Sequence, residues 1–335
     1  SAMGDILHAL PAVAALRQAH PAWHIGWAVE PQWKPLLAAE GATERGSAMP
    51  IVDYIHTIPA RQWARSPVSP KTLREIRYVR RDLRAEKYDV SVDLQGSVRS
   101  AVIAKWARAR RLIGEDAPRE RAARCFFSER IPTRGVHVIE QATEVLNAVA
   151  GEMLPITLPP LPIDPEAERK AETLPTPFVL LNPGAGWGAK RWPTDRYAVV
   201  AMRLRDAGYN VLVNTGPGEE NLANEIATRS EGAATALRPT ISELISITRR
   251  AALVIGGDTG PLHLASALGR PVVGIFGPTD PARNGPFGGR FRVLRHPESK
   301  RDHTRKSEPE AGLLTITPDA VLCAAMDLLR EEQGS

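Results

Sequence analysis

ALVIGGDTGPLHLASALGRPVVGIFG (residues 252–277) is the stretch that decides the fold class. An apolar run, ALVIGG, ends in two glycines, a helix begins at about Gly260, and a second apolar run, PVVGIFG (271–277), follows it. Two short apolar runs joined through one helix predict a parallel β-α-β unit, because parallel neighbours need a long crossover. The same alternation extends outward. FVLLNPG (178–184) and NVLVNTG (210–216) read as strands of the second half. HIGWAVE (24–30), VDYIHTI (52–58), DVSVDL (89–94) and RRLIG (110–114) read as strands of the first half. Helical patterns lie between them at 6–19, 71–86, 97–107 and 136–149; Leu7, Leu10, Val13, Ala14 and Leu16 share one helical face. The expected class is α/β, with parallel sheets and helical crossovers.

At 335 residues the chain is long for one hydrophobic core, so two α/β domains are expected. Residues 155–177 interrupt the alternation with seven prolines and read as an interdomain linker, with a short helix at 165–173. The expected domains are then 1–154 and 178–318, followed by a C-terminal helix (319–331) within a closing segment, 319–335. The polar stretch 296–312 reads as a surface loop. The first helix begins almost at residue 1 with no strand before it, whereas a doubly wound domain opens with a buried strand. The first domain is therefore expected to lack its first strand through truncation.

Apolar residues make up 43% and charged residues 24%, an ordinary globular balance. Cys125 and Cys323 are the two cysteines, far apart and outside any Cys/His cluster, which argues against a disulfide framework or a zinc site. No apolar run reaches the ~18 residues needed to span a bilayer. No basic segment leads into an apolar stretch at the N-terminus, so a cytosolic enzyme is the expectation. Charge is unevenly placed: residues 1–150 hold 22 Lys and Arg against 16 Asp and Glu, and residues 151–335 hold 21 against 22. The basic excess suits an anionic partner, although Arg74, Arg77, Arg80, Arg81 and Arg84 also fit the wet face of a helix. No nucleic-acid-binding motif accompanies the charge, so no nucleic acid is expected as a partner.

Three glycine-bearing loops carry candidate chemistry. In SAMGDILH (1–8), Gly4 allows a tight turn and Asp5 opens a helix, either as a cap or as a general base. In NPGAGWGAKRWP (182–193), three closely spaced glycines, Gly184, Gly186 and Gly188, precede Lys190, which suits a diphosphate. In the third loop, Thr259, Gly260 and His263 stand at a helix start where N–H groups bind anions, and Asp258 could cap that helix. Glu219 and Glu220 in NTGPGEEN (214–221) either cap a further helix or accept hydrogen bonds from ribose hydroxyls. No Asp-x-Asp, HExxH, GxSxG or GxxxxGK[ST] occurs. The charge of a departing diphosphate would then fall to Lys190 and helix N-termini, with no metal and no cofactor expected.

Taken together, SAMGDILHALPA (1–12), DLQGSVRSA (93–101), PGAGWGAKRWP (183–193) and GGDTGPLHLASALGRPVVGIFGPTDPAR (256–283) resemble the ADP-heptose:lipopolysaccharide heptosyltransferases, glycosyltransferase family 9. The form of DLQGSVRSA is closer to the first heptosyltransferase than to the second. The resemblance implies a GT-B fold, two Rossmann-like domains with parallel sheets facing across a cleft. It implies inverting transfer of heptose from ADP-heptose to the Kdo of an anionic lipid A acceptor, at the cytoplasmic face of the inner membrane with peripheral contact to its surface. By position, Asp5 would be the general base and Lys190 would hold the donor phosphates. Gly184, Gly186, Asp258, Thr259, Gly260 and His263 would line the donor site, with Glu219 or Glu220 on the ribose. Gly4, Gln95, Ser97, Arg99, Ser100, Arg119 and Arg121 fall where the family approaches its acceptor. The alternatives are another nucleotide-sugar enzyme of the same fold (a second heptosyltransferase or a 2-epimerase) and a non-catalytic nucleotide-binding module.

Overall fold

The computed structural model describes residues 2–299 and 308–333, with side chains to residue 331. It divides into two compact units, Ser1–Pro162 and Ile163–Ser335. Residues 300–307 of the expected loop at 296–312 lie outside the described residues, as do Ser1 and residues 334–335.

Unit 1 runs α1 (Met3–Ala19), β1 (Gly26–Val29), β2 (Tyr54–Thr57), α2 (Ala60–Arg65), α3 (Pro70–Ala85), β3 (Val90–Asp93), α4 (Val98–Trp106), β4 (Arg111–Glu115), β5 (Glu129–Ile131) and α5 (Val138–Ala150). The four expected strands and four expected helices are present. Additional elements are α2, the three-residue β5, and short 3-10 turns at Pro31–Leu36 and Arg121–Phe126. All pairings between these strands are parallel, but the strands form two fragments: β1 with β2, and β3 with β4 and β5. Between β1 and β3 lies a cavity of about 770 Å³, lined by Trp27 and Val29 on one side and Val90 and Val92 on the other. Trp27, Ala28, Val90 and Val92 therefore keep part of their surface exposed, unlike central strands of a closed sheet.

Unit 2 begins with α6 (Pro165–Glu172) and continues with β6 (Phe178–Asn182), α7 (Thr194–Asp206), β7 (Asn210–Asn214), α8 (Glu220–Arg229), β8 (Ala234–Leu237), α9 (Ile241–Arg250), β9 (Leu253–Gly257), α10 (Gly260–Ala267), β10 (Val272–Phe276), α11 (Pro281–Asn284), β11 (Phe291–Arg295) and α12 (Pro318–Gln333). Its six parallel strands are ordered β8-β7-β6-β9-β10-β11. The order reverses between β6 and β9, as in a doubly wound sheet. Every residue of β6, β9 and β10 is buried, which explains their near-continuous apolar sequences: helices cover both faces. Val179, Leu181, Val211, Ile255 and Ile275 pack on α7, α8 and α12. Gly274 points to the other face, where an added Cβ would stand 3.4 Å from Leu262 of α10.

The two helices expected at 165–173 and 319–331 both pack with unit 2. The short helix placed within the linker, α6, belongs to unit 2, because Glu168 pairs with Arg249 and Arg250 and accepts a hydrogen bond from Ser246 (2.8 Å), all on α9. The closing helix α12 contributes Val321, Ala325, Leu328 and Leu329 to the unit 2 core.

Candidate functional site

In unit 2 the loops after β6, β7 and β9 emerge at the carboxyl ends of adjacent parallel strands, and the β6/β9 pair is the switch point where such sheets bind ligands. Asn182 ends β6 and Asn214 ends β7, and the buried Asn214 Nδ2 donates to Asn182 Oδ1 at 2.8 Å. The glycine loop then leads through a 3-10 turn (Gly188–Lys190) to Trp192, which is 2% exposed and donates from Nε1 to Ile316 O at 3.0 Å. Trp192 also meets the Tyr197 ring edge-on, with centroids 4.9 Å apart. This anchor fixes where Lys190 emerges.

Lys190 Nζ donates to Asp258 Oδ2 at 2.5 Å and lies 5.2 Å from the Trp187 ring centroid. The other oxygen, Asp258 Oδ1, lies 3.0 Å from His263 Nε2 on α10. Asp258 does not cap α10, as one reading allowed: Thr259 is the N-cap residue, and the carboxylate turns to Lys190 and His263 instead. Burial pushes the Asp258 carboxyl up, but hydrogen bonding and charge from His263, with the charge and hydrogen bond of Lys190, outweigh it. The carboxyl is held well below the usual carboxylate range. The backbone is close-packed here, since a Cβ on Gly257 would stand 3.1 Å from Lys190 O, a tight contact. Lys190, Asp258, Thr259, Gly260 and His263 thus form one cluster, with Pro261 removing one donor from the first turn of α10.

The two glutamates brace the neighbouring loop. Glu219 is the N-cap residue of α8, and its Oε2 accepts from Gly216 N at 3.2 Å. An added Cβ on Gly184 would stand 2.1 Å from that oxygen, so the glycine is what lets the two loops approach. The Glu220 carboxyl is held below its usual range by its own N–H and that of Gly218. Gly186 has open space where a side chain would be.

Unit 1 gathers the other expected residues at the carboxyl end of β3. Asp93 Oδ1 accepts from Gln95 N (2.9 Å) and Gly96 N (3.1 Å), and its Oδ2 accepts from Ser100 Oγ (3.0 Å). Burial pushes the Asp93 carboxyl up against those hydrogen bonds. Ser97 caps α4, accepting from Ser100 N at 3.1 Å, so both serine hydroxyls are occupied in shaping the turn. Gly96 has φ +65° and packs on Pro118 and Arg119, where a Cβ would meet Arg119 N at 2.9 Å. Glu120 N donates to Gly96 O (2.8 Å) and Glu120 Oε2 accepts from Val98 N (2.9 Å). This holds the segment carrying Arg119 and Arg121 beside the one carrying Arg99, all three exposed. Asp5 accepts from Ala2 N (2.9 Å) and from Gln95 Nε2 (3.3 Å), so it serves its helix start and also faces this turn. Gly4 precedes it in the first turn of α1.

Sequence reasoning singled out neither Asp93, Glu120, Trp192 nor the Asn182–Asn214 pair. A polar residue ending each apolar run was the available signal for Asp93, Asn182 and Asn214. Cys125 and Cys323 are free and exposed. Among the described residues there is no group of three or more His, Cys, Asp or Glu placed to hold a metal. No described helix is long and apolar enough to cross a membrane.

Doubly wound strand order with a lysine and a helix start at the switch point defines an α/β protein of the nucleotide-binding type. Residues 76–313 match glycosyltransferase family 9 (heptosyltransferase), and the chain belongs to that family: it is a glycosyltransferase of GT-B fold in lipopolysaccharide biosynthesis. It is similar to lipopolysaccharide heptosyltransferase 1 of Pseudomonas aeruginosa, 27% identical over 86% of this chain and 79% of that protein. It is also similar to the Escherichia coli K12 enzyme of the same name, 28% identical over 89% of this chain and 92% of that one. The solved structure of E. coli heptosyltransferase WaaC with ADP superposes with a TM-score of 0.80, at 25% identity, over 98% of this chain and 97% of that one.

A depressed carboxyl in the folded state contributes stability that is complete above the unfolded pKa, about 3.9, and is lost as pH falls toward the folded value. Asp258→Asn should cost about 3–5 kcal/mol at pH 7, as expected for breaking a buried ion pair. Urea unfolding should show that difference narrowing by about 1.4 kcal/mol per pH unit below pH 4. A difference that stays constant from pH 7 to pH 2 would mean the carboxylate's partners do not stabilise its charge.

Proposed function

We propose that this chain transfers L-glycero-D-manno-heptose from ADP-heptose to the Kdo residue of the lipopolysaccharide inner core, with inversion at the anomeric carbon. The observation that carries the reading is the Lys190–Asp258–His263 cluster at the β6/β9 switch point. Lys190 supplies a positive charge for the donor diphosphate, and the start of α10 supplies N–H groups and the positive end of a helix dipole. Glu219 and Glu220 shape the loop that would border the ribose, and Gly184 and Gly186 let the backbone approach the phosphates. Asp5 takes the proton of the acceptor hydroxyl. That oxygen bonds to the anomeric carbon as the bond from carbon to the diphosphate oxygen breaks, and ADP leaves with the electron pair. Gln95 orients Asp5, and Arg99, Arg119 and Arg121 offer charge to an anionic acceptor. Lys190 and α10 meet the leaving group's charge without a divalent metal.

A lipid-linked acceptor lies at a membrane, and α3 fits peripheral contact with the cytoplasmic face. Its exposed residues include Lys71, Arg74, Arg77, Arg80 and Arg81 together with Leu73 (45% exposed) and Tyr78 (60%). Its two acids are engaged: Glu75 accepts from Trp63 Nε1 and Asp82 pairs with His56. Sedimentation with anionic phosphatidylglycerol vesicles should recover the protein, and vesicles of neutral phosphatidylcholine should not. Changing Arg74, Arg77 and Arg81 together to Ser should lower recovery at least tenfold; unchanged recovery would remove α3 from the contact.

Kinetics with ADP-heptose and a Kdo-terminated acceptor separate the two charged residues. Asp5→Asn should leave ADP affinity nearly unchanged and lower kcat by about 10²–10⁴-fold. Lys190→Ala should weaken ADP binding and lower kcat together, because it meets the diphosphate before and during bond breaking. Near-native kcat in Asp5→Asn would leave Asp5 with the helix start alone and place the base elsewhere.

A further inference from the structure

We propose that Trp187 recognises the transferred sugar of the donor, the face of its indole ring stacking on the C–H face of the pyranose. The inference rests on the reading of the Lys190–Asp258–His263 cluster as the donor diphosphate site. Trp187 stands in the loop after β6, between Gly186 and Gly188, and is the N-cap residue of the 3-10 turn Gly188–Lys190. Lys190 N donates to Trp187 O at 3.2 Å, which closes that turn. Lys190 Nζ lies over the indole, 5.2 Å from its centroid. The ring therefore borders whatever Lys190 binds.

Other tryptophans of the chain have packing roles that Trp187 lacks. Trp192, five residues on, is buried in the unit 2 core with its N–H bonded to Ile316. Trp63 is buried in unit 1, and its Nε1 donates to Glu75 at 2.9 Å. Trp187 is partly exposed and stands outside the unit 2 core cluster. Among the described residues its Nε1–H has no hydrogen-bond partner. A broad apolar face and a spare donor beside a polar cluster are what a ligand pocket presents to a molecule with both kinds of surface.

Charge and the course of the loop decide which part of the donor meets the ring. The face of an aromatic ring is its negative side, which attracts the Lys190 ammonium and repels an anion. The diphosphate then meets Lys190 away from the ring, and the ring is left to positively polarised C–H groups next to it. Ribose and the transferred sugar flank a diphosphate on its two sides. Gly184 marks the ribose side, since a Cβ there would stand 2.1 Å from Oε2 of Glu219, in the loop after β7. The 3-10 turn marks the other side. A Cβ on Gly277, just after β10, would stand 3.5 Å from Ala189 O, and one on Gly257, at the end of β9, 3.1 Å from Lys190 O. The loop thus crosses from β7 toward the ends of β9 and β10, and Trp187 opens the turn at the far end of that crossing. There the sugar beyond the diphosphate falls, with the indole N–H free to donate to one of its hydroxyls.

Titration calorimetry with ADP and with ADP-heptose, in the absence of acceptor, tests this on the unaltered chain, Trp187→Phe and Trp187→Leu. Leucine keeps an apolar side chain and removes the ring, whereas phenylalanine keeps a ring face and loses the N–H. Both changes fall outside the core and should leave Tm within about 2 °C. Trp187→Leu should weaken ADP-heptose binding about tenfold while ADP binding stays within about twofold. Trp187→Phe should keep both affinities within about threefold of the unaltered chain. Equal weakening of ADP and ADP-heptose in Trp187→Leu, or an unchanged affinity for ADP-heptose, would overturn the proposal and leave the donor-site reading standing. Failure of the unaltered chain to bind ADP would overturn that reading and the proposal with it.

Discussion

The geometry of unit 2 depends on one buried carboxylate. Asp258 stands where β9 ends, with Lys190 from the loop after β6 on one oxygen and His263 from α10 on the other. Two charges removed from water lose several kcal/mol of hydration each, and an arrangement like this survives only when geometry and further hydrogen bonds restore it. Here the carboxylate is matched on both oxygens, so the lysine is held at a fixed place instead of sampling its many rotamers. A phosphate-binding group that is already ordered loses less entropy when its ligand arrives. Trp192 and its bond to Ile316 secure the other end of the same segment, two residues further along the chain.

Unit 1 uses a buried carboxylate differently. Among the described residues Asp93 has no cation against it; its partners are two backbone N–H groups and a serine hydroxyl, and burial pushes it up. It organises a turn, and that turn sets the positions of Gln95, which donates to Asp5, and of the exposed Arg99. Ser97 and Ser100, expected among acceptor-binding residues, have their hydroxyls committed to the same turn and to the start of α4.

The central strands were legible in the sequence because burial on both faces leaves a continuous apolar run, as in β6, β9 and β10. The outer strands β5, β8 and β11 were not. β8 has two exposed residues of four, β11 has none that is fully buried, and β5 has only three residues, so none shows the pattern that betrays an enclosed strand. Helix α6 was legible from its Asp164 cap and following proline, but its attachment to α9 rests on long-range ion pairs that no local pattern encodes. The loops were legible from their glycines. What each acid does there was not, since a carboxylate before a helix reads alike whether it caps that helix, one reading open for Asp258, or pairs with a lysine 68 residues away.

Since Lys190 is proposed as the phosphate-binding group and Asp258 as what orders it, ADP affinity measured by titration calorimetry on four proteins is the most direct test: the unaltered chain, Lys190→Ala, Asp258→Asn and the double variant. Asp258→Asn should weaken ADP binding while Lys190 is present, because the lysine loses its anchor. In the Lys190→Ala background the same change should not weaken binding, because only a nearby negative charge is removed. Equal weakening in both backgrounds, or tighter binding by Asp258→Asn with Lys190 in place, would contradict the ordering of Lys190 by Asp258.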